Sequence, residues 1–155
     1  MSSKLLISTG RLVLSLVAIA TSFGGFLADW NETHVKNPNW PPHARFHNGQ
    51  TMSMGLCLGV LTFYLTWRVN TKSSPKEILD STFLAALTGS VYYLTGISAI
   101  FYPGSGWTDP ELDDGRMIAP QIPLFSSLFF LPWFAYLLER KRISNHIPSY
   151  KAKGQ

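Results

Sequence analysis

Trp30 to Gln50 reads WNETHVKNPNWPPHARFHNGQ, and its position decides how the rest of the chain is understood. It gathers three of the four histidines, the acid Glu32, the bases Lys36 and Arg45 and three prolines into one segment. Leu12 to Ala28 runs before it and Thr51 to Trp67 after it, both without a charged residue. Spanning a bilayer takes ~20 consecutive, mostly apolar residues. A polar segment between two such runs reads as a loop joining two membrane helices, and here as the mouth of a membrane-embedded pocket.

Working outward, two more uncharged runs follow, Phe83 to Tyr102 and Ile122 to Leu138. The expected fold is therefore all-α, an integral membrane four-helix bundle in one domain over 1–155. Its helices are predicted at about 5–28, 42–69, 79–102 and 121–140, with a basic tail over 141–155. A positive start before an apolar run also marks signal peptides. Against that, Ser8, Arg11, Ser15, Ala18, Ser22, Gly25 and Asp29 recur at helical spacing, and small residues let membrane helices approach closely. The first run is read as a retained helix with a packing face.

Pro41-Pro42 marks the start of the second helix, because proline suits the first helical turn. Carried to Val69 it would be ~42 Å long at 1.5 Å per residue, longer than the ~30 Å hydrocarbon core. Its first turns should project into the interface. Ser81, Ala85, Thr88, Tyr92, Thr95, Ala99 and Tyr102 make a second small and polar stripe on the third helix, with Gly89 and Gly96 beside it. Pro132 is expected to kink the fourth helix. Trp107, Trp133 and Tyr136 are candidates for aromatic belts. Cys57, the single cysteine, excludes an intrachain disulfide and a CxxC site, and reads as a small buried hydrophobe.

Charge orients the bundle. With the N-terminus placed in the cytosol, ten basic residues fall on that side: Lys4, Arg11, Arg68, Lys72, Lys76, Arg140, Lys141, Arg142, Lys151 and Lys153. Only Lys36, Arg45 and Arg116 fall opposite, among six of the nine acids. This positive-inside bias predicts both termini in the cytosol. The two chemically rich loops, Asp29 to Gln50 and Pro103 to Pro120, then share the other side and should meet.

The candidate catalytic residues are His43, His47, Glu32, Asp29, His34 and Arg45. Histidine gains and loses a proton near neutral pH, and an acid beside it can complete a proton transfer. His43, His47, Gln50 and Met54 fall on one helical face. Gln50, Met54, Thr88, Tyr92, Thr95 and Trp40 are the candidate substrate-binding residues. Asp109, Glu111, Asp113, Asp114 and Arg116 could complete the site from the second loop. His43 and His47 are four residues apart, as metal-binding pairs on helices often are, with Asp29 or Glu32 as a conceivable third ligand. The ligand set is incomplete, so neither a metal nor any cofactor is expected. Asn31-Glu32-Thr33 is a glycosylation sequon in form, but its place against the first helix favours a turn. The lone basic run Glu139 to Arg142 reads as a topology anchor touching anionic lipid, and nucleic acid is not an expected partner.

Through WNETH, NPNWPPHARFHNGQ and the four apolar runs, nearly the whole chain resembles a family of small four-helix membrane proteins common in fungi, which implies no settled activity. More distantly its layout is similar to the sterol isomerase and sigma-2 receptor superfamily, compact bundles that hold sterols or hydrophobic amines against buried acids. Here runs two to four carry no Asp or Glu, so Asp29 and Glu32 alone could serve that role. The layout is also similar to fungal membrane-bound terpenoid cyclases, which are larger.

The expected function is a membrane enzyme, placed in the endoplasmic reticulum, acting on a terpenoid, sterol or polyketide. The reaction would be a cofactor-free isomerisation or cyclisation by acid–base catalysis from the first loop. The alternative is a non-catalytic lipid-binding or accessory protein that supports a partner enzyme. The expected partners are the lipophilic substrate and membrane lipids.

Overall fold

The computed structural model describes residues 7–70, 72–115 and 118–146. Lys4, Arg116, Lys151 and Lys153, used in the charge count, lie outside the described residues. Four helices form a bundle, and no strand occurs among the described residues: α1 (Thr9–Asp29), α2 (Pro42–Trp67), α3 (Pro75–Ser98) and α4 (Gln121–His146). A short 3₁₀ turn, Ala99–Phe101, extends α3. Each helix touches its neighbours in sequence, and α1 also packs on α4, which closes the ring.

Local chemistry sets the helix ends. Ser8 caps α1 by accepting from the Arg11 N–H at 3.3 Å. Pro42 stands in the first turn of α2, as its fixed φ favours. α3 starts one turn before the expected residue 79. Ser74 and Glu77 form a capping box in which each side chain accepts from the other's backbone N–H, at 3.2 and 2.6 Å. The earlier start buries Ile78 and Leu79. α4 runs past the expected residue 140, so the first residues of the expected tail are helical, and 147–155 lie outside the described residues. The helix continues to His146 because Arg and Lys are good helix formers. Ile143 is buried there with Val69, Ile78 and Leu79. Pro132 is accommodated inside α4 and is fully buried.

The interior is made of small and hydroxylated residues. Gly55 and Gly59 of α2 lie against Thr21, Ala18 and Ser22 of α1, so closely that a side chain at Gly59 would collide with the α1 backbone. At Gly89 of α3 all four helices converge: an added Cβ would lie 3.2 Å from Thr62, 3.4 Å from Val17 and 3.6 Å from Pro132. Hydroxyls stitch the same zone. Thr21 donates to the Val17 carbonyl, so the Tyr93 hydroxyl donates to Thr21 at 3.0 Å. Thr88 donates back to its own helix, so Thr62 donates to Thr88 at 2.9 Å.

Large apolar side chains point outward instead. Leu16 and Leu27 of α1, Val60 and Phe63 of α2, Leu94 of α3 and Phe130 and Phe134 of α4 are all exposed. A soluble domain would not present apolar patches on every helix, whereas lipid accepts them. By length and composition, α1, α3 with its 3₁₀ extension, and α4 can each cross a membrane. α2 is as long as α4, but its first turns carry His43, Arg45, His47, Asn48 and Gln50, which shortens its apolar part. Cys57 is exposed, not buried, because α2 packs through Met52, Gly55, Gly59 and Thr62 on its other side. Trp133 and Tyr136 pack on the bundle core, each edge-on to Phe83.

Candidate functional site

The segment after α1 is folded by its own polar side chains. Asn31 donates to the Ala28 carbonyl and accepts from the Thr33 N–H and hydroxyl, so the sequon forms a turn. Thr33 spends its hydroxyl proton on Asn31, so His34 Nδ1–H donates to Thr33 Oγ1 at 2.8 Å. The other nitrogen of His34 faces Asp29 at 3.7 Å, a contact that becomes an ion pair when the ring is protonated. Asp29 accepts from Asn48 of α2 at 3.0 Å. Arg45 reaches back from α2 to the Asn37 carbonyl at 2.6 Å, which clamps the loop onto the start of the helix. Trp40 donates to Asp109 at 3.3 Å and joins the two loops at one end of the bundle. Asp113 caps the Gly115 N–H. Glu32 is exposed.

His43 and His47 stand one turn apart on α2, with Nε2 atoms 3.0 Å apart. His47 Nδ1–H donates to Gln50 Oε1 at 3.2 Å, which fixes its tautomer. His47 Nε2 is then the acceptor, and His43 Nε2–H the donor. The three side chains form a directed hydrogen-bond chain along one face of α2, and all three are exposed. Among the described residues no three His, Cys, Asp or Glu side chains are grouped so as to hold a metal.

Beneath the loops lies a cavity of about 340 Å³ between α1, α3 and α4. Its walls are apolar, with Ile19, Phe23, Leu124, Phe125 and Leu128 among them. Its only ionisable carboxylate is Asp29, at the loop end, and Tyr92 and Tyr93 add hydroxyls. A second hollow of about 210 Å³ lies between α2 and α3, lined by Gln50, Thr51, Met54, Tyr92 and Thr95. Four of the residues singled out in the sequence for substrate binding thus surround one cleft. Thr88 lines neither hollow and is engaged with Thr62. Trp40 lines neither and packs edge-on against His34 at 5.6 Å. A larger hollow of about 410 Å³ at the other end is mostly polar and open to solvent, unlike a small-molecule cavity.

Two features were not read from the sequence. Tyr93, Leu124 and Phe125 form cavity walls, and nothing in a single apolar run says which of its faces borders a void. The second is a buried charge cluster at the opposite end. Glu139 of α4 is 0% exposed and Arg11 of α1 is 1% exposed. Arg142 holds one Glu139 oxygen through two nitrogens, at 2.6 and 3.1 Å. Arg11 lies over the Trp67 ring at 5.7 Å, and Trp67 donates to Ser15. The sequence signal was the three-residue spacing of Glu139 and Arg142, together with Arg11 in register with the small-residue stripe of α1.

No curated protein and no solved structure matches the chain significantly. A family model does match, over residues 13–147, which takes in all of α2, α3 and α4 and most of α1. The chain therefore belongs to a family of unknown function, DUF6640.

Proposed function

We propose that this membrane protein takes up a lipophilic small molecule, of terpenoid, sterol or polyketide type, and isomerises or cyclises it by moving protons from its loop end. The observation that carries the reading is the apolar cavity between α1, α3 and α4, which ends on Asp29 beneath the histidine-bearing loop. Small-molecule sites are mostly apolar hollows of ~300–1,000 Å³ with a few placed polar groups, and this cavity has that composition. His43 and His47 would carry protons between water and the cleft, with Gln50, which lines that cleft, fixing the orientation of the His47 ring. Asp29, held by Asn48 and faced by His34, is the acid nearest the cavity. The protein would sit in the endoplasmic reticulum membrane with both termini in the cytosol, as the charge bias favours. The resemblance to fungal four-helix proteins through Asn37 to Gln50 belongs to the same proposal.

A second reading is non-catalytic binding, as a lipid carrier or accessory subunit. It is favoured by one observation: neither His43 nor His47 lines the cavity. One set of variants separates the two. Gly24 lines the cavity, and a Cβ there meets nothing within 4 Å, so the side chain of Gly24→Leu can enter the space. It should abolish labelling by a photoreactive lipophile, and unchanged labelling would remove the cavity from both readings. His43→Gln and His47→Gln should preserve labelling and abundance. Under catalysis each should cut turnover by ~10²-fold or more, seen as an accumulated precursor in lipid extracts of a deletion strain carrying the variant. Wild-type extracts from both variants would leave the binding reading alone.

A further inference from the structure

Tyr92 is the one side chain shared by the linings of the two hollows. Its ring occupies a slot made by glycines on two other helices. A Cβ added at Gly55 of α2 would lie 3.3 Å from Tyr92 Cε2, and one added at Gly25 of α1 would lie 3.4 Å from its hydroxyl. Tyr93 buttresses it edge-on, with centroids 5.4 Å apart and planes at 83°. Tyr93 is itself tied to α1 through Thr21. A ring held from three helices is a wall, and this wall stands between an apolar cavity and a cleft with a different chemistry. The cleft carries Gln50, Thr51 and Thr95, which can bond a neutral oxygen, and among the described residues no charged group lines it.

We propose that the apolar cavity binds an elongated neutral lipophile with a single terminal oxygen. Tyr92 partitions it from the cleft and so sets the length of ligand admitted. The proposal rests on the cavity reading above. The hydrocarbon body occupies the space between α1, α3 and α4. The Tyr92 hydroxyl, at the boundary, bonds the oxygen of a ligand short enough to stop there. A longer ligand needs the volume of the cleft as well, which the ring denies it. Taken together the hollows remain within the size of ordinary small-molecule sites.

The test is native mass spectrometry of the full chain with geraniol, farnesol and geranylgeraniol, alcohols that lengthen by one isoprene unit at each step. The wild type should retain the shorter members and lose retention at one step of the series. Tyr92→Ala should move that step by at least one unit, with relative occupancy of the newly admitted alcohol rising about ten-fold or more, a ~1.4 kcal/mol change. Tyr92→Leu keeps an apolar side chain in the glycine slot and serves if the alanine variant does not fold; it should move the step in the same direction. Tyr92→Phe should leave the step in place but reduce the preference for an alcohol over the matching hydrocarbon several-fold, as loss of one hydrogen bond does. The same step in wild type and in the folded shortened variants would overturn the partition. If none of the alcohols binds the wild type while Gly24→Leu still changes lipophile labelling, the neutral-alcohol ligand is wrong and the cavity stands. If labelling is also insensitive to Gly24→Leu, the underlying cavity reading has failed.

Discussion

The two ends of this bundle use ionisable residues in opposite ways. At the loop end, His43, His47 and Glu32 are exposed, and Asp29 and His34 are half-buried within a hydrogen-bonded turn. At the other end, Arg11 and Glu139 are sealed between α1 and α4, with Arg142 across the carboxylate. At the open end the exposed groups reach water, and Asp29 borders the apolar cavity. At the closed end Arg11 and Glu139 are shielded from water and tie the first helix to the last. Ionisable residues in membrane proteins often mark function. Here exposure divides the two roles better than charge does.

Removing the carboxylate at the closed end should have the largest effect. Glu139→Ala leaves two guanidinium groups facing a void, and breaking a buried ion pair costs about 3–5 kcal/mol. Denaturation in detergent micelles should show it. Glu32→Ala, at the open end, should stay within about 0.5 kcal/mol, as surface substitutions do. Equal effects at both ends would erase the contrast.

Next comes packing near the middle. Gly59→Ala places a methyl on the Ala18 carbonyl and the Ser22 side chain, so α1 and α2 must separate. Overpacking of this kind costs about 1–3 kcal/mol. Gly49→Ala on the same helix meets nothing within 4 Å and should be neutral or slightly stabilising, since alanine is the better helix former. A smaller loss at Gly59 than at Gly49 would mean that the α1–α2 contact is wrong.

The smallest stability effect should come from the hydroxyl pair. Thr62→Val removes the bond to Thr88, and interhelical hydrogen bonds in membranes average about 0.6 kcal/mol. Topology sharpens the comparison without an energy. In a Cys57→Ser background, needed because Cys57 is exposed, cysteines replacing Lys72 and Asp113 should label from opposite sides of the membrane. Labelling from the same side would put the open and closed ends in one compartment.

Much of the open end was legible in order along the chain. Pro42 marked a helix start, Asn31 and Thr33 a turn, and His43, His47 and Gln50 one face, because each depends on neighbours within a turn or two. The start of α3 was missed although Ser74-Pro-Lys-Glu77 spells a capping box, because the apolar run drew the boundary inward. Cys57 was misplaced for a different reason. Hydropathy does not distinguish a side chain facing lipid from one facing protein, and in a membrane both surroundings are apolar.

By itself the sequence determined that there are four helices, that small residues stripe α1 and α3, and that the polar loops separate apolar runs. These follow from local propensity, from helical periodicity and from the length a bilayer demands. Only the tertiary structure decided which stripes face one another. It placed Arg11 beside a glutamate near the far end of the chain, turned Thr88 toward Thr62 and away from the hollows, and set Tyr92 between Gly25 and Gly55. Those pairings depend on how helices rotate and approach, and rotation is fixed by contacts between residues far apart in sequence, which no local pattern encodes.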